Sequence, residues 1–184
     1  MRLFLRTMAV AAFTLTASAG VIVGPALTVD GSGNTNHGIA FTALRNSSLT
    51  SFVFNYQGLA GLVELTPAGS PGTLLFSIAV PATGTDPSTF SPNVNWALTS
   101  GTNYWLIGTV TNNGRLSAPG QTFPVADADI SVTSGVLSSV TGTTWADFTN
   151  ITTTVPEPGS GVLFAIGVAA LVSSRFGIRK AFSR

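Results

Sequence analysis

Along residues 20–154 the apolar positions come in short alternating runs separated by Gly, Pro, Asn and Ser, and the recurring period is two. That period sends successive side chains to opposite faces of an extended chain, so each run reads as a strand with one buried face. Strands are predicted over 38–42, 49–56, 62–66, 73–80, 94–98, 104–111, 130–133, 136–140 and 145–151, with Phe52, Phe54 and Tyr56 sharing one face. The run 104–111 (YWLIGTVT) is the strongest, being rich in aromatic and β-branched residues. Pro71-Gly72, Ser100-Gly101 and Asn113-Gly114 supply turns, 31–36 a polar loop and 81–92 a second long loop. No long amphipathic helix interrupts this span. The pattern predicts an all-β domain over 38–152, an antiparallel β-sandwich with jelly-roll character, preceded by a polar lead-in at 20–37.

The two ends depart from this pattern. Arg2 and Arg6 precede an apolar run at 8–15 (MAVAAFTL), and Ala17-Ser18-Ala19 then offers the small residues a signal peptidase accepts. A signal helix over 1–19 is predicted, cleaved after Ala19, with a buried first helix as the alternative. At the other end Val155-Pro156-Glu157-Pro158 leads into an uncharged stretch at 159–174, followed by Arg175, Arg179, Lys180 and Arg184. As a helix that stretch spans about 24 Å at 1.5 Å per residue, against about 30 Å for a bilayer core. Phe176 and Ile178 extend it, and long basic side chains reach back to the headgroups. A transmembrane helix is therefore predicted over about 159–176, with Arg175, Arg179 and Lys180 as a membrane stop on the cytoplasmic side. Pro156 and Pro158 hold their neighbours extended just outside it, the form a processing enzyme's cleft can grip. A Pro-rich linker before an ordinary anchor is the other reading of the same residues.

Composition narrows the function classes. Charged residues make up 8% of the chain, against about 25% in ordinary globular proteins, so Ser, Thr, Asn and Gly carry the polarity. The net charge of +1 conceals an asymmetry: between the two ends, Arg45 and Arg115 stand against Asp30, Glu64, Asp86, Asp127, Asp129 and Asp147. No basic surface is left to neutralise phosphates, and nucleic acid is excluded as a partner. The absence of cysteine removes disulfides, thiolate nucleophiles and zinc–thiolate sites. His37, the single histidine, lies in a Gly/Asn-rich stretch with Asp30 nearby. No Gly-x-Ser-x-Gly elbow accompanies it, and a solvated role is expected in place of a catalytic relay. Asp127 and Asp129 project the same way if extended, which makes calcium the one ionic candidate and leaves no other cofactor expected. Trp96, Tyr104, Trp105 and Trp145 are candidates for stacking on sugar rings. Because Tyr104 and Trp105 are consecutive on a strand, one of them is expected on the outer face. A hydrolase pairing Glu64 with one of the aspartates is a further, weaker reading.

The succession of Pro156-Glu157-Pro158, a short Gly/Ala/Leu-rich helix and an Arg-rich end resembles the PEP-CTERM protein-sorting signal of Gram-negative bacteria, over about 153–184. The resemblance implies recognition and cleavage near the motif by exosortase, a multi-pass membrane enzyme, and delivery to the cell surface or extracellular matrix. Here the basic residues are more spread out than the family's usual arginine cluster. Gly38-Ile39-Ala40-Phe41-Thr42, Leu49-Thr50-Ser51-Phe52, 70–75 (SPGTLL) and 98–106 (LTSGTNYWL) also resemble choice-of-anchor β domains, which implies a sandwich and no assigned activity. The expectation is an exported, non-catalytic structural or adhesive component of the envelope or exopolysaccharide matrix. Its precursor would pass through the export machinery and sit in the inner membrane. A carbohydrate-binding module is the alternative.

Overall fold

In a computed structural model of the protein, residues 19–30, 36–69, 73–110, 115–138 and 140–155 are described. The predicted signal helix up to residue 18, the Pro156-Glu157-Pro158 motif, the predicted membrane helix and the basic stop at Arg175, Arg179 and Lys180 lie outside them, while Ala19, the last residue of the predicted helix, is in a strand. The described residues form strands and connecting turns. In chain order the strands are β1 (Ala19–Ile22), β2 (Thr28–Asp30), β3 (His37–Ala43), β4 (Ser47–Tyr56), β5 (Gly61–Pro67), β6 (Phe76–Val80), β7 (Ser88–Phe90) and β8 (Asn93–Leu98). They continue as β9 (Asn103–Val110), β10 (Arg115–Ala118), β11 (Val125–Ala126), β12 (Ile130–Leu137), β13 (Val140–Gly142), β14 (Trp145–Ala146) and β15 (Phe148–Thr154).

All pairings are antiparallel. One five-stranded sheet runs β1-β15-β4-β7, with β8 also on β4; a seven-stranded sheet runs β11-β12-β3-β9-β5-β6, with β13 on β12. A small sheet, β14-β10-β2, completes the set. The two large sheets share one core. Leu49, Phe52, Phe54 and Tyr56 of β4 and Phe148 and Ile151 of β15 meet Ile39 and Phe41 of β3, Leu65 of β5, Leu106 of β9 and Val132 of β12. The aromatic ladder expected on β4 is in place: Phe54 and Tyr56 stack with centroids 5.5 Å apart, and Phe148 crosses Phe52 edge-on at 5.6 Å. Gly108, on the inward face of β9, leaves room for Phe54, whose ring a Cβ there would strike.

Several elements differ from the expectation. The lead-in at 20–37 contributes most of β1, all of β2 and the start of β3, and the loop at 81–92 contains β7. The run 73–80 is strand only from Phe76. The runs 130–133 and 136–140 are largely one strand, β12, whose register shifts between Val132 and Ser134. That bulge moves the following residues to the opposite face. Ile130 and Val132 point into the main core, while Val136 joins Ala40, Trp105 and Ile107 in a second buried cluster.

Candidate functional site

The edge of the five-stranded sheet holds both the first described strand, β1, and its neighbour β15, the last. In β1 the side chains alternate outward and inward, with Gly20 and Ile22 buried. Ala19 pairs with Thr154, Gly20 with Thr153 and Val21 with Thr152, so the first strand lies against the last along its whole length. Opposed residues in such a ladder have Cα atoms about 4.5–5.5 Å apart. Of the predicted signal-cleavage residues, Ala17 lies outside the described residues and Ala19 opens β1.

Beside this edge sits a cluster of charged groups. Asp127 follows the short β11, and its Oδ1 accepts the backbone N–H groups of Asp129 (2.6 Å) and Ile130 (2.8 Å), closing the turn into β12. Such a turn is a common use of Asp, whose short carboxylate mimics a backbone acceptor. Asp129 is fully buried. Its Oδ1 lies 2.9 Å from Arg45 Nε, and its Oδ2 accepts the Thr153 hydroxyl at 2.8 Å. The same Arg45 Nε–H donates to the Ala128 carbonyl at 2.8 Å. Arg45 comes from the β3–β4 turn, Asp129 from the β11–β12 turn and Thr153 from β15, so the cluster ties the two large sheets together. Asp127 Oδ2 is buried and has no hydrogen-bond partner among the described residues.

This arrangement revises the calcium expectation for Asp127 and Asp129. The two acids do share a turn. Asp129 is already neutralised by a guanidinium, and one oxygen of Asp127 is committed to backbone donors, so a calcium ion bridging both carboxylates would have to displace Arg45. No group of three or more His, Cys, Asp or Glu side chains converges among the described residues.

A second polar centre lies where three sheets meet. Asp147, between β14 and β15, adopts φ +59°, a left-handed conformation that Asp tolerates better than most residues. Its N–H donates to the Leu116 carbonyl (2.8 Å), and its Oδ1 accepts the Leu116 N–H (3.0 Å). Its carbonyl accepts the Asn55 N–H (2.7 Å) and the Asn55 side-chain amide (3.0 Å). Its Oδ2 lies 3.8 Å from His37 Nδ1, both side chains being buried. His37 is thus inside the domain, opening β3, and faces Asp147. The solvated role expected for it does not hold: β3 starts one residue earlier than predicted and takes His37 into the buried interior. Asp147 acts as a joint between β10, β4 and β3.

The four aromatic candidates do not form a platform. Trp96 stacks on Phe76 at 5.7 Å and an interplanar angle of 8°, Tyr104 on Phe41 at 5.5 Å, and Trp145 on Phe123 at 5.9 Å and 5°. The Tyr104 hydroxyl accepts the Thr99 N–H (2.9 Å), and Trp145 Nε1–H donates to the Phe148 carbonyl (2.6 Å). Trp105 does turn to the other face of β9, as alternation requires, yet only 5% of it is exposed. The most exposed of the four, Trp96, stands at 7%. Sugar stacking needs an open ring face, and none of these offers one.

Residues 154–180 match the PEP-CTERM protein-sorting motif. The match starts on the last residue of β15 and supports the reading of the chain as an exported, surface-sorted substrate of exosortase, made as a membrane-anchored precursor. No curated protein matches the chain. Arg45, Asp147, Asn55 and Thr153 had no local signature as site residues. The one signal available for Asp147 was its place in a Trp-Ala-Asp-Phe run, where an acid interrupts an otherwise apolar strand.

Proposed function

We propose that the chain is exported behind a cleaved leader, held in the inner membrane by its C-terminal helix, and trimmed by exosortase near Pro156-Glu157-Pro158. The trimmed domain then serves at the cell surface or in the exopolysaccharide matrix as a non-catalytic structural or adhesive component. The observation that carries this reading is the junction at Thr154. The ladder of β15 ends on the residue where the sorting motif begins. Residues up to Thr154 are engaged in pairing and resist entry into a protease cleft, which favours a scissile bond beyond Thr154. The low charge, the absence of cysteine and the Ser/Thr/Asn-rich polarity suit an exported sandwich that meets hydrated polysaccharide through neutral hydrogen bonds. The structural use of His37 and Asp147 supports a non-catalytic role. The resemblance to choice-of-anchor domains is in keeping with it.

The test is fractionation in a host that carries an exosortase. The unaltered chain is expected at trimmed mass in the outer fractions. A variant with Pro156→Ala, Glu157→Ala and Pro158→Ala is expected to accumulate untrimmed in the inner membrane. If that variant reaches the surface at trimmed mass, the sorting reading is wrong.

A further inference from the structure

Gly20 is the inward-facing residue of β1, and its surroundings are specific. A Cβ there would run into Asp127 Oδ2 and would lie 2.8 Å from Asp127 Cγ and 2.9 Å from Thr153 Oγ1. Asp127 is held in that pose through its other oxygen, which takes the N–H groups of Asp129 and Ile130. Its Oδ2 is consequently aimed at Gly20, buried and without a hydrogen-bond partner among the described residues. The charges are unequal as well: Asp129 takes the guanidinium of Arg45, while Asp127, two residues before it, has no ion pair among the described residues. A carboxylate oxygen removed from water without a compensating donor is costly.

We propose that removal of the leader after Ala19 frees an α-ammonium on Gly20 that Asp127 Oδ2 captures, locking the edge strand β1 onto the finished domain. This rests on the reading of Ala19–Gly20 as the leader junction. In the precursor the Gly20 nitrogen is an uncharged peptide N–H fixed in the ladder. Hydrolysis of the Ala19–Gly20 bond by water leaves the Ala19 carboxylate on the leader and an amine on Gly20 that takes up a proton. With no residue before it, that amine can swing about the Cα–C bond. The N–Cα bond, about 1.46 Å, is close in length to a Cα–Cβ bond. The swing carries the ammonium toward the place a Cβ would occupy, and a shift of a few tenths of an ångström sets it at charge-assisted hydrogen-bond distance, about 2.7–2.9 Å, from Asp127 Oδ2, beside the Thr153 hydroxyl. Only glycine leaves that place open. The added charge balances the cluster, and β1, which among the described residues pairs only with β15, gains a second hold at its first residue. Front-end processing would in this way secure the strand that begins opposite Thr153.

Lys180 is the only lysine in the chain, so an amine-acylating reagent can modify just the N-terminus and, where the tail persists, Lys180. Exported protein would be acylated folded and in urea, and the rate at the N-terminal peptide followed by mass spectrometry. The Gly20 amine is expected to react at least about tenfold more slowly in the folded protein, the factor that one unit of pKa separation produces. Asp127→Asn keeps the Oδ1 acceptor and should restore most of that reactivity. A second measurement needs no variant: protein acylated in urea and refolded should melt about 5 °C below untreated protein. Equal reactivity in the unaltered and Asp127→Asn proteins, an unchanged melting temperature after acylation, or a mature chain that begins elsewhere than Gly20 would each overturn the proposal. A persisting, Lys180-labelled tail would count against the sorting reading alone, because the Gly20 readings remain interpretable.

Discussion

Replacing Asp147 with Ala tests whether one carboxylate joins three sheets. The backbone links of Asp147 to Leu116 and Asn55 survive the change, so the side chain is isolated. Losing Oδ1 leaves the buried Leu116 N–H, now bonded at 3.0 Å, without its acceptor, a cost of about 1–3 kcal/mol. Placing Ala at φ +59° adds about 1 kcal/mol relative to Asp. The buried His37 loses the carboxylate 3.8 Å away, for roughly another 1 kcal/mol. The expected total is about 3–5 kcal/mol. For a domain of this size that is a drop of roughly 10–20 °C in melting temperature. Asp147→Asn keeps an oxygen acceptor and tolerates the same backbone conformation, so about 1 kcal/mol is expected. Urea titration of the exported protein, followed by tryptophan fluorescence, reads both values, since Trp145 lies two residues away. A loss below about 1 kcal/mol for Ala, or equal losses for Ala and Asn, would refute the joint.

Trp145→Ala and Trp105→Ala should each lower stability by about 3–5 kcal/mol, a core-type loss that urea titration would register; a loss of glycan binding with stability unchanged would restore the sugar-stacking reading. Gly108→Ala drives a methyl group into the Phe54 ring and should cost about 1–3 kcal/mol, checked by thermal melting. Calcium and a chelator should leave the melting temperature equal, because Arg45 already neutralises Asp129; a calcium-dependent rise would return Asp127 and Asp129 to the role of ligands.

Much of the antiparallel β-fold was legible in the sequence because its long strands are half-buried and alternate cleanly. In β4 every second residue from Phe52 to Tyr56 is aromatic, and burial follows that order. In β9 the alternation of Tyr104 and Trp105 was also sound, but both faces turned out to be covered. Period two tells which side a residue faces and says nothing about what lies beyond it. The short strands β2, β7, β10 and β11 were missed because two to four residues cannot establish a period, and for β2 and β10 the partner is also distant in sequence: Leu116 pairs with Val29. The bulge in β12 made one strand look like two. The polar clusters were illegible for the same reason, since Arg45, Asp129 and Thr153 meet only through the packing of two sheets. The tail was legible because its motif is contiguous and its order carries the meaning.

The most direct test of the account is the intact mass of the protein recovered from the surface of a host that carries an exosortase. A chain beginning at Gly20 and ending shortly beyond Thr154, without the apolar tail, is the predicted result. Recovery of a surface chain that still carries Met1 or extends to Arg184 would contradict it.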